Sequence, residues 1–403
     1  MSKNIIVLPG TKWQIPLVQK LKRRGFNVIV FDFYENQPAY KYADGYRLVD
    51  ILDKERVLEL AKEYNPVAVM SDECDIATPT IAWVSEQLGK PSIGMEMAEL
   101  YTDKYKMREF SKENGLVAPA FYKCYTMETA IENFKAFGGK MIMKPLDGNS
   151  SRGVFSVECE TDIITNFEQS IKYSKKEKCV LLEEYIEGEE FSIDGIMTEH
   201  GYYSMALAKK KHYEDNENLD QELIFKYKDE EYDYDLLRKT NQEYVEKTGL
   251  KFGLTHAEYK FQNGNFYLIE IGARGGGNLI SGCINPNLTG IESQECLIDW
   301  ATGYEIKEDH CTYIDNYREK CAILSFFDVG QQHGIITKIE GIEFLENEEC
   351  IKSFYFDYKI GDTVRKVEDG GNRFGYYIAC CDSLEELEQL KVKVTDTVKI
   401  VIE

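Results

Sequence analysis

The chain has 403 residues, 43% of them hydrophobic and 12% aromatic; this composition argues against intrinsic disorder and, at about 150 residues per domain, predicts two or three domains. Its 70 acidic and 48 basic side chains give a net charge of −22, which argues against nucleic acids and anionic membranes as partners because both are polyanions. We expect a cytoplasmic protein with reduced cysteines, since the sequence shows no leader-like or membrane-spanning run and its eleven cysteines form no C-x-x-C pair.

Strands and helices alternate over the first hundred residues. The predicted strands are residues 4–8, 27–32 and 66–72, and the predicted helices are residues 14–24 and 54–64. This alternation is typical of a parallel, doubly wound α/β sheet that binds a ligand near the carboxyl ends of its strands. The first turn lacks the glycines of the G-x-G-x-x-G fingerprint, which argues against a nicotinamide cofactor.

A domain boundary is predicted near Leu100. After it, Thr102 or Asp103 can cap a helix that runs to about Asn114. The acidic, tyrosine-rich segment 209–235 shows too little periodicity for a buried element, so we expect either a mobile loop over a site or a solvated excursion. The remaining predicted elements are strands and short helices over 121–196, a helix at 234–248, a hairpin at 254–272, a largely helical stretch to 303, and a small α+β domain to the end of the sequence.

A lysine followed by a glycine-bearing loop is the first feature that points to a ligand. Lys144 ends an apolar strand, and the residues from Gly148 to Gly153 are mostly glycine, serine and asparagine. A lysine ammonium, together with backbone N–H groups that no Cβ shields, can bind phosphate oxygens. An ordinary glycine-rich turn beside a lysine has the same pattern, so this segment alone leaves both interpretations open.

Two predicted strands flank an acidic turn at Gly188. The acidic residues at this junction, among them Glu183 and Glu190, can accept hydrogen bonds from an exocyclic amine or from ribose hydroxyls. The backbone between them can pair with the edge of an adenine ring. A solvated acidic turn is the alternative that this segment, taken alone, leaves open.

The predicted hairpin carries two glutamates whose relative position depends on its turn. With a three-residue loop at 263–265, Gln262 pairs with Phe266. In that register Glu258 lies directly opposite Glu270, and the two carboxylates share one face with Cβ atoms about 5 Å apart. A cation between them relieves their repulsion, and two carboxylates with phosphate oxygens typically hold Mg²⁺. A two-residue Asn-Gly loop would shift the register by one and put the glutamates on opposite faces.

Taken together and in this order, these segments resemble the ATP-grasp superfamily, and within it the ADP-forming carboxylate–amine ligases of the L-amino-acid ligase type. The likeness is carried by Thr255-His256-x-Glu258, by Gly272-Ala273-Arg274 with the glycines after it, by Lys359-x-Gly361-Asp362 and by Arg373-x-Gly375-Tyr376. The resemblance implies a multi-domain fold of mixed α/β and α+β class. Its parts would be a biotin-carboxylase-like N-terminal α/β domain at 1–100, an ATP-grasp domain at 101–312 with a mobile lid at about 120–190, and a small C-terminal α+β domain at 313–403.

The resemblance also implies an ATP site. Lys104 and Lys144 would contact the phosphates while the glycine-bearing loop closes over them. Glu183 with the backbone that follows it would hold adenine, and Glu190 would bind the ribose hydroxyls. The full set of implied nucleotide-binding residues is Lys104, Lys144, Gly148, Ser150, Ser151, Gly153, Glu183, Glu184, Tyr185, Ile186 and Glu190.

By the same resemblance, Glu258 and Glu270 would bind one or two Mg²⁺ ions, for which Mn²⁺ can substitute. One position departs from the family pattern. Members commonly carry a metal-binding Asn two residues after the second glutamate, whereas this chain has Gly272 there. A second metal ion would then be absent, or would be completed by water or by a nearby group such as Asn278.

The catalytic residues that the resemblance implies are Arg274, His256 and Lys144. Arg274 would steady the transferred phosphoryl group and the substrate carboxylate. His256 would orient a substrate or help to deprotonate the amine; a purely structural histidine is the open alternative. The implied substrate contacts are Arg274, Gly276, Gly277, Asn278 and Lys210, and the lysine run at 209–211 is equally compatible with a solvated surface.

The implied reaction joins a small carboxylate, such as an amino acid, to an amine through an acyl phosphate and releases ADP and phosphate. Trp83 and Glu73 are candidates for substrate specificity, and similar proteins are commonly homodimers. One alternative is an ATP-dependent carboxylating enzyme that activates bicarbonate; biotin carboxylase, however, has Gln-Val-Glu-His where this chain has glycines after Arg274. Another is a non-catalytic nucleotide-binding protein, which only Gly272 supports.

Overall fold

The computed structural model describes residues 3–146, 153–174, 177–214, 216–329, 333–367 and 370–403. Over these ranges the chain forms mixed α/β and α+β architecture, which confirms the predicted fold class. None of the helices in the described part of the chain is both long enough and apolar enough to cross a membrane.

The amino-terminal part is a parallel sheet with helices on both faces, as the alternation predicts. Its elements are β1 (Asn4–Val7), α1 (Ile15–Arg23), β2 (Asn27–Asp32), β3 (Gly45–Leu48), α2 (Lys54–Tyr64) and β4 (Ala68–Met70). The strand order is β3-β2-β1-β4, and all neighbours are parallel. Ile5 packs toward α1 and Ile6 toward α2. The inner strands are apolar on both faces because helices cover both faces of the sheet.

Three helices connect this sheet to the next part of the chain: α3 (Thr78–Gln87), α4 (Met95–Leu100) and α5 (Lys104–Glu113). Of the two predicted caps of the last helix, Asp103 is the one that the structure uses, since its side chain accepts hydrogen bonds from the N–H groups of Tyr105 and Lys106. Lys104 and Arg108 are four residues apart, so they share a face of α5, and both are buried.

A small antiparallel sheet follows. Its elements are β5 (Phe121–Cys124), α6 (Met127–Phe137), β6 (Met141–Pro145), β7 (Phe155–Val157), α7 (Glu160–Lys172) and β8 (Val180–Glu184). The strand order is β5-β8-β6-β7. Both helices pack on one face of the sheet around Met143, Phe167 and Leu182. The other face carries Lys144 and Glu183 toward the rest of the molecule.

The next elements build a second antiparallel sheet with one helix against it. They are β9 (Glu190–Thr198), β10 (Gly201–Tyr213), β11 (Asn216–Lys226), α8 (Tyr234–Thr248), β12 (Gly253–Gln262) and β13 (Asn265–Gly272). The predicted helix at 234–248 and the predicted hairpin are confirmed. A core that includes Phe191, Tyr244 and Tyr259 joins α8 to the sheet.

The segment 209–235 is not a loop, which corrects the expectation drawn from its weak periodicity. Most of it lies in β10, β11 and the start of α8. The inward-facing positions of these strands include charged residues such as Lys210, which is 4% exposed. Because these charges face opposite charges rather than water, the strands bury them without showing an apolar repeat.

The remaining elements run to the end of the chain. They are α9 (Asn285–Thr289), α10 (Ser293–Thr302), β14 (Cys321–Phe326), β15 (Gly334–Glu340), α11 (Ile342–Asn347), β16 (Ile351–Phe356), β17 (Thr363–Val364), β18 (Gly375–Cys381), α12 (Leu384–Thr397) and β19 (Lys399–Ile402). A π-helical turn at Ile280–Ile284 precedes α9. Strands β17, β15 and β19 form a small sheet of their own.

One continuous sheet crosses the predicted boundary between residues 312 and 313. Its order is β13-β12-β9-β10-β11-β14-β18-β16, and β11 pairs with β14 over five residues. Backbone hydrogen bonds therefore tie the C-terminal region directly to the strands that carry the charged residues of the cavity described below.

Candidate active site

A tight turn closes the β12–β13 hairpin. Gln262 pairs with Asn265 rather than with Phe266, so the predicted three-residue loop is wrong and the loop has two residues. Asn263 and Gly264 have φ values of 50° and 78°. Positive φ at both positions is the conformation of a type I′ turn, which suits the right-handed twist of the two strands.

A β-bulge then restores the predicted glutamate pair. Tyr259 pairs with Leu268 in the register set by the turn, but the register shifts by one between Tyr259 and Glu258. Ile269 is the extra residue on β13. Beyond the bulge Glu258 lies directly opposite Glu270, so the prediction that these carboxylates are partners is confirmed. The bulge, and not a three-residue loop, produces this pairing.

Two lysines neutralise the glutamate pair. Lys104 Nζ donates to Glu270 Oε1 at 2.9 Å, and Lys210 Nζ donates to Glu258 Oε1 at 2.6 Å. Burial alone would raise the pKa of Glu258, but Lys210 and His256 outweigh it and hold that pKa well below the usual value. Two carboxylates that already attract cations fit Mg²⁺, which prefers hard oxygen ligands.

Lys210 is the centre of an ionic cluster that sequence analysis only partly anticipated. Its ammonium also donates to Glu190 Oε1 at 2.7 Å and lies 3.6 Å from Asp220 Oδ1. The imidazole of His212 is 3.4 Å from the same Asp220 oxygen. Burial would lower the pKa of Lys210, yet the three carboxylates hold it well above the usual value. Asp220 and His212 were not predicted; the two-residue spacing of Lys210 and His212 along one strand was the available signal.

A second ionic cluster lies under the sheet formed by β5, β8, β6 and β7. Glu183 contacts Lys144 through Oε2, and its Oε1 is 2.8 Å from Arg108 Nε. Arg108 also donates to the carbonyl of Ile269, in the bulge, at 2.7 Å. Arg108 is fully buried and Glu183 is 2% exposed. Burial would raise the pKa of Glu183, but the two cations lower it below the usual value. Arg108 was not predicted, because an arginine on an amphipathic helix ordinarily faces solvent.

Lys144 is the member of this cluster whose charge is least secure. Burial, aided by the nearby Arg108 and Lys104 charges, outweighs the attraction of Glu183 and lowers the pKa of Lys144 to about 8. The ammonium is therefore charged at neutral pH and becomes neutral as the pH rises past this value.

We predict that nucleotide affinity falls above about pH 8. Phosphates favour the charged form of Lys144, so binding above that pH requires proton uptake, and the Kd for ATP should increase by up to about tenfold per pH unit. Calorimetric titration with MgATP at several pH values measures this slope. Lys144→Arg, which keeps its charge, should flatten it; an equal slope in wild type and variant would contradict the assignment to Lys144.

Arg274 is fixed by a carboxylate from the amino-terminal part of the chain. Its Nε and Nη2 donate to the two oxygens of Asp75 at 2.9 and 2.7 Å, a bidentate geometry that holds the guanidinium in one orientation. A Cβ at Gly272 would overlap Asp75 Oδ1. The space that a metal-binding Asn side chain would need at 272 is thus occupied by Asp75, which sequence analysis did not predict.

We predict that Gly272→Ala disrupts the Asp75–Arg274 pair. The added methyl group must displace a carboxylate that Arg274 holds by two hydrogen bonds, so the free energy of unfolding should fall by about 1–3 kcal/mol. Urea unfolding measures this loss. In an Asp75→Gly background the same substitution should cost less, because the overlapping atom is gone; equal costs in the two backgrounds would show that the strain lies elsewhere.

His256 belongs to a buried network around Asp194. Its Nδ1 is 2.6 Å from Asp194 Oδ1. The other Asp194 oxygen accepts hydrogen bonds from the N–H of Gly276 at 2.9 Å and from Asn285 Nδ2 at 3.0 Å. Burial would lower the pKa of His256, but Asp194 outweighs it and raises that pKa. The contact through Nδ1 leaves Nε2 on the side of Glu258, 3.8 Å from its Oε1.

A single cavity of about 630 Å³ joins these groups. The predicted residues that line it are Lys104, Lys144, Glu183, Glu184, Tyr185, Ile186, Glu190, Lys210, His256, Glu258, Glu270, Arg274, Gly277 and Asn278. Its wall also includes Trp13, Asp75, Asp220 and Arg373. Of the two residues considered for specificity, Glu73 lines the cavity, whereas Trp83 packs against the core of the parallel sheet.

Three predicted nucleotide-binding residues of the glycine-bearing loop, Gly148, Ser150 and Ser151, lie outside the described residues. Gly153, at the end of that loop, has a φ of 75°, and a Cβ there would lie 2.7 Å from the Tyr173 ring. Both the conformation and the close approach therefore require glycine at position 153.

The cavity lies largely in a segment that known families cover. The family described as "ATP-grasp domain" matches residues 138–282, and the family described as "L-amino acid ligase C-terminal domain 2" matches residues 328–403. Residues 138–282 form an ATP-grasp domain. This ATP-grasp domain contributes Lys144, Glu183 and the glutamate pair, whereas Lys104 and Asp75 come from the preceding residues.

Curated relatives match the chain over part of its length. The "Formate-dependent phosphoribosylglycinamide formyltransferase" of Prochlorococcus marinus (strain MIT 9515) is 26% identical over 188 residues, which is 46% of this chain and 48% of the relative. The protein with the same description from Bacillus subtilis (strain 168) is 25% identical over 187 residues, or 46% and 49% of the two chains. The chain thus spans about half the length of the curated relatives that it matches.

Solved structures resemble the whole chain in fold. An L-amino acid ligase from Bacillus licheniformis superposes with a TM-score of 0.81 at 21% identity, covering 100% of this chain and 99% of that one. A phosphoribosylglycinamide synthetase from Anaerococcus prevotii has a TM-score of 0.80 at 18% identity and full coverage of both chains. A biotin carboxylase from Campylobacter jejuni has 0.76 at 16% identity, with 100% and 92% coverage. These similarities show that the arrangement around the ATP-grasp domain is a shared fold.

Proposed function

We propose that this protein is an ATP-dependent ligase that joins a small carboxylate to an amine through an acyl phosphate and releases ADP and phosphate. The observation that carries the proposal is the cavity of the ATP-grasp domain. In it Lys104 and Lys210 contact the pair Glu270 and Glu258, and Lys144 and Arg274 line the same cavity. The match of residues 328–403 to an L-amino acid ligase domain supports a carboxylate–amine ligase in particular.

Positive charge is the main requirement of the first step. A carboxylate and the γ-phosphate of ATP repel each other, so the attack needs cations where the transferred charge develops. Lys104 and Lys144 would bind phosphate oxygens, and Arg274, held in place by Asp75, would bind the substrate carboxylate and the phosphoryl group in transfer. Mg²⁺, held by Glu258 and Glu270, with Mn²⁺ able to substitute, would supply Lewis-acid charge neutralisation at the phosphates.

The nucleotide would lie between the two antiparallel sheets. Because Glu183 is occupied by Arg108 and Lys144, we assign it the task of positioning Lys144, and we assign adenine to the neighbouring cavity residues 184–186. Glu190 would accept hydrogen bonds from the ribose hydroxyls. Lys210, which now contacts Glu190, would then contact phosphate or substrate.

In the second step an amine displaces phosphate from the acyl phosphate. His256, oriented by Asp194 through Nδ1, would place Nε2 toward the reacting groups and help to remove the amine proton. Gly277 and Asn278 line the cavity close to Arg274 and would contact the substrates. The acyl phosphate must be kept from water until the amine attacks it.

The proposal is tested by measuring ADP release with panels of amino acids and other small carboxylates, each with and without a panel of amines. We expect ADP release that requires both a carboxylate and an amine, with a condensation product detected by mass spectrometry. ADP release driven by bicarbonate alone would favour the carboxylating alternative. Nucleotide binding without turnover for any pair would favour a non-catalytic role, and either result would overturn the ligase proposal.

A further inference from the structure

Two thiols and a carboxylate meet at the edge of the C-terminal region, far along the chain from the ATP-grasp cavity. Cys350 immediately precedes β16, Cys381 ends β18, and Glu386 lies in the first turn of α12. One ligand atom from each, two sulfurs and a carboxylate oxygen, all lie within 4.8 Å of one another. We call these three residues the thiol cluster.

We propose that the thiol cluster is a binding site for a zinc-class divalent metal ion, with one coordination position left for water.

The donor set has the chemistry of such a site. Thiolates are soft ligands that select zinc and similar metals over Mg²⁺ and Ca²⁺, and two thiolates with a carboxylate provide three of four tetrahedral positions. The negative charge of two thiolates and one carboxylate also attracts a divalent cation more strongly than it attracts a neutral water molecule. No such combination is present at Glu258 and Glu270, whose oxygen ligands suit Mg²⁺ instead.

The spacing also fits. With Zn–S near 2.3 Å and Zn–O near 2.1 Å, a tetrahedral site separates sulfur and oxygen ligands by about 3.6 Å. Cys350 Sγ lies 3.5 Å from Glu386 Oε1. This pair of ligand atoms therefore already has the separation of a tetrahedral zinc site, and the third ligand atom lies within 4.8 Å of both.

A backbone hydrogen bond holds the Glu386 carboxylate in position. Glu386 Oε2 accepts a hydrogen bond from the N–H of Asp382 at 2.9 Å, which turns Oε1 toward the sulfurs. Backbone hydrogen bonds that orient a metal-binding carboxylate are typical of metal sites. The side chain of Ser383 caps the same helix by accepting from the Glu386 N–H, so the first turn of α12 is fixed before any ion binds.

Burial differs among the three ligands in a way that leaves one side open. Cys381 is 2% exposed and packs in the core with Leu387, whereas Cys350 is half-buried and Glu386 is exposed. An ion could therefore enter from solvent, and water could complete its coordination. Binding is a ligand exchange without a redox step: each thiol gives its proton to solvent as its sulfur bonds to the metal.

Cobalt provides a direct test because sulfur ligands give Co²⁺ near-ultraviolet charge-transfer absorption that oxygen ligands do not. Titrating the full-length protein with CoCl₂ under anaerobic, reducing conditions should produce this absorption with a stoichiometry of one, and ZnCl₂ should abolish it because zinc binds such sites more tightly. Co²⁺ at the glutamate pair would not contribute, so the result is independent of the proposed ligase function.

Two variants locate the site. Cys350→Ser and Glu386→Gln change partly or fully accessible ligands, so the fold should persist, as circular dichroism would verify. We expect Cys350→Ser to lower the intensity of the charge-transfer band at least twofold, because only the Cys381 sulfur remains. Glu386→Gln should weaken Co²⁺ binding at least 10-fold, since loss of an outer-shell partner alone costs roughly 10- to 100-fold. ZnCl₂ should raise the Tm of wild type but not of Cys350→Ser.

Cys159 offers a matched control, since its sulfur lies 3.3 Å from Asp162 Oδ2 at an exposed position. Cys159→Ser should leave the cobalt spectrum unchanged. The proposal is overturned if wild type with both thiols reduced gives no sulfur-to-cobalt band, if Cys350→Ser leaves the band unchanged, or if Cys350 and Cys381 are found joined as a disulfide in protein purified from the cell.

Discussion

Replacing Glu258 and Glu270 together by glutamine is expected to lower ATP turnover by at least about 1000-fold, since removal of a single preorganised electrostatic contact already costs about 100- to 1000-fold. Glutamine has the same shape but no charge, so the β12–β13 hairpin should persist while the site for Mg²⁺ is lost. Lys104 and Lys210 would then also lose their charge-assisted contacts with these two glutamates. ADP release with the best carboxylate–amine pair measures the effect, with calorimetry showing whether MgATP still binds.

Glu222 provides the control for this experiment. It lies on β11 of the same sheet, and its Oε1 is 3.0 Å from Lys391 Nζ, so it is also a strand carboxylate paired with a lysine. It does not belong to the cavity lining. Glu222→Gln should therefore keep turnover within a few-fold of wild type. A folded double variant that retains more than a tenth of wild-type turnover would rule out an essential role for the glutamate pair.

Replacing Glu183 by alanine is expected to cost about 3–5 kcal/mol of stability, because removal of one member of a buried ionic cluster leaves uncompensated charge in the interior. Glu183 faces both Arg108 and Lys144, and Arg108 is fully buried. The alanine variant would leave two cations without their shared carboxylate. Urea unfolding, followed for the transition that includes the small sheet, measures the loss.

Glu177 is a matched control from the same sheet region. It also contacts a lysine, Lys123, but its side chain is 42% exposed. Water and salt screen such a pair, so Glu177→Ala should cost less than about 1 kcal/mol. If both substitutions cost the same, the Glu183 cluster does not stabilise the fold in the way that its burial indicates. Nucleotide affinity should also fall in Glu183→Ala, because Lys144 loses the group that positions it.

The outline of the fold could be predicted from local patterns. The apolar runs before residue 72 predicted β1, β2 and β4 in a parallel sheet, and the helix at 234–248 matches α8. Such elements can be recognised in the sequence because their buried residues are apolar and recur with the period of a strand or a helix. β10 and β11 were missed because some of their buried positions carry charge, which no hydrophobic pattern reports.

The candidate site was only partly predictable for a related reason. Lys144, Glu258 and Glu270 lie beside recognisable turns and strand ends, so their chemistry could be inferred locally. Asp75 and Arg108 have no such signal. Their roles arise from partners far along the chain, Arg274 and Glu183, and contacts of that kind exist only after the parts of the chain have packed.

By itself, the sequence determined the chemical inventory of this protein: an acidic chain with alternating strands and helices, a lysine before a glycine-bearing loop, and a hairpin with two glutamates. Tertiary structure alone decided how these groups meet. Local propensity correctly makes Asn263-Gly264 a tight turn, and that turn alone would have separated the glutamates. The bulge at Ile269 brings Glu258 opposite Glu270, and its carbonyl accepts a hydrogen bond from Arg108 on α5. Backbone register depends on such long-range packing as well as on the turn.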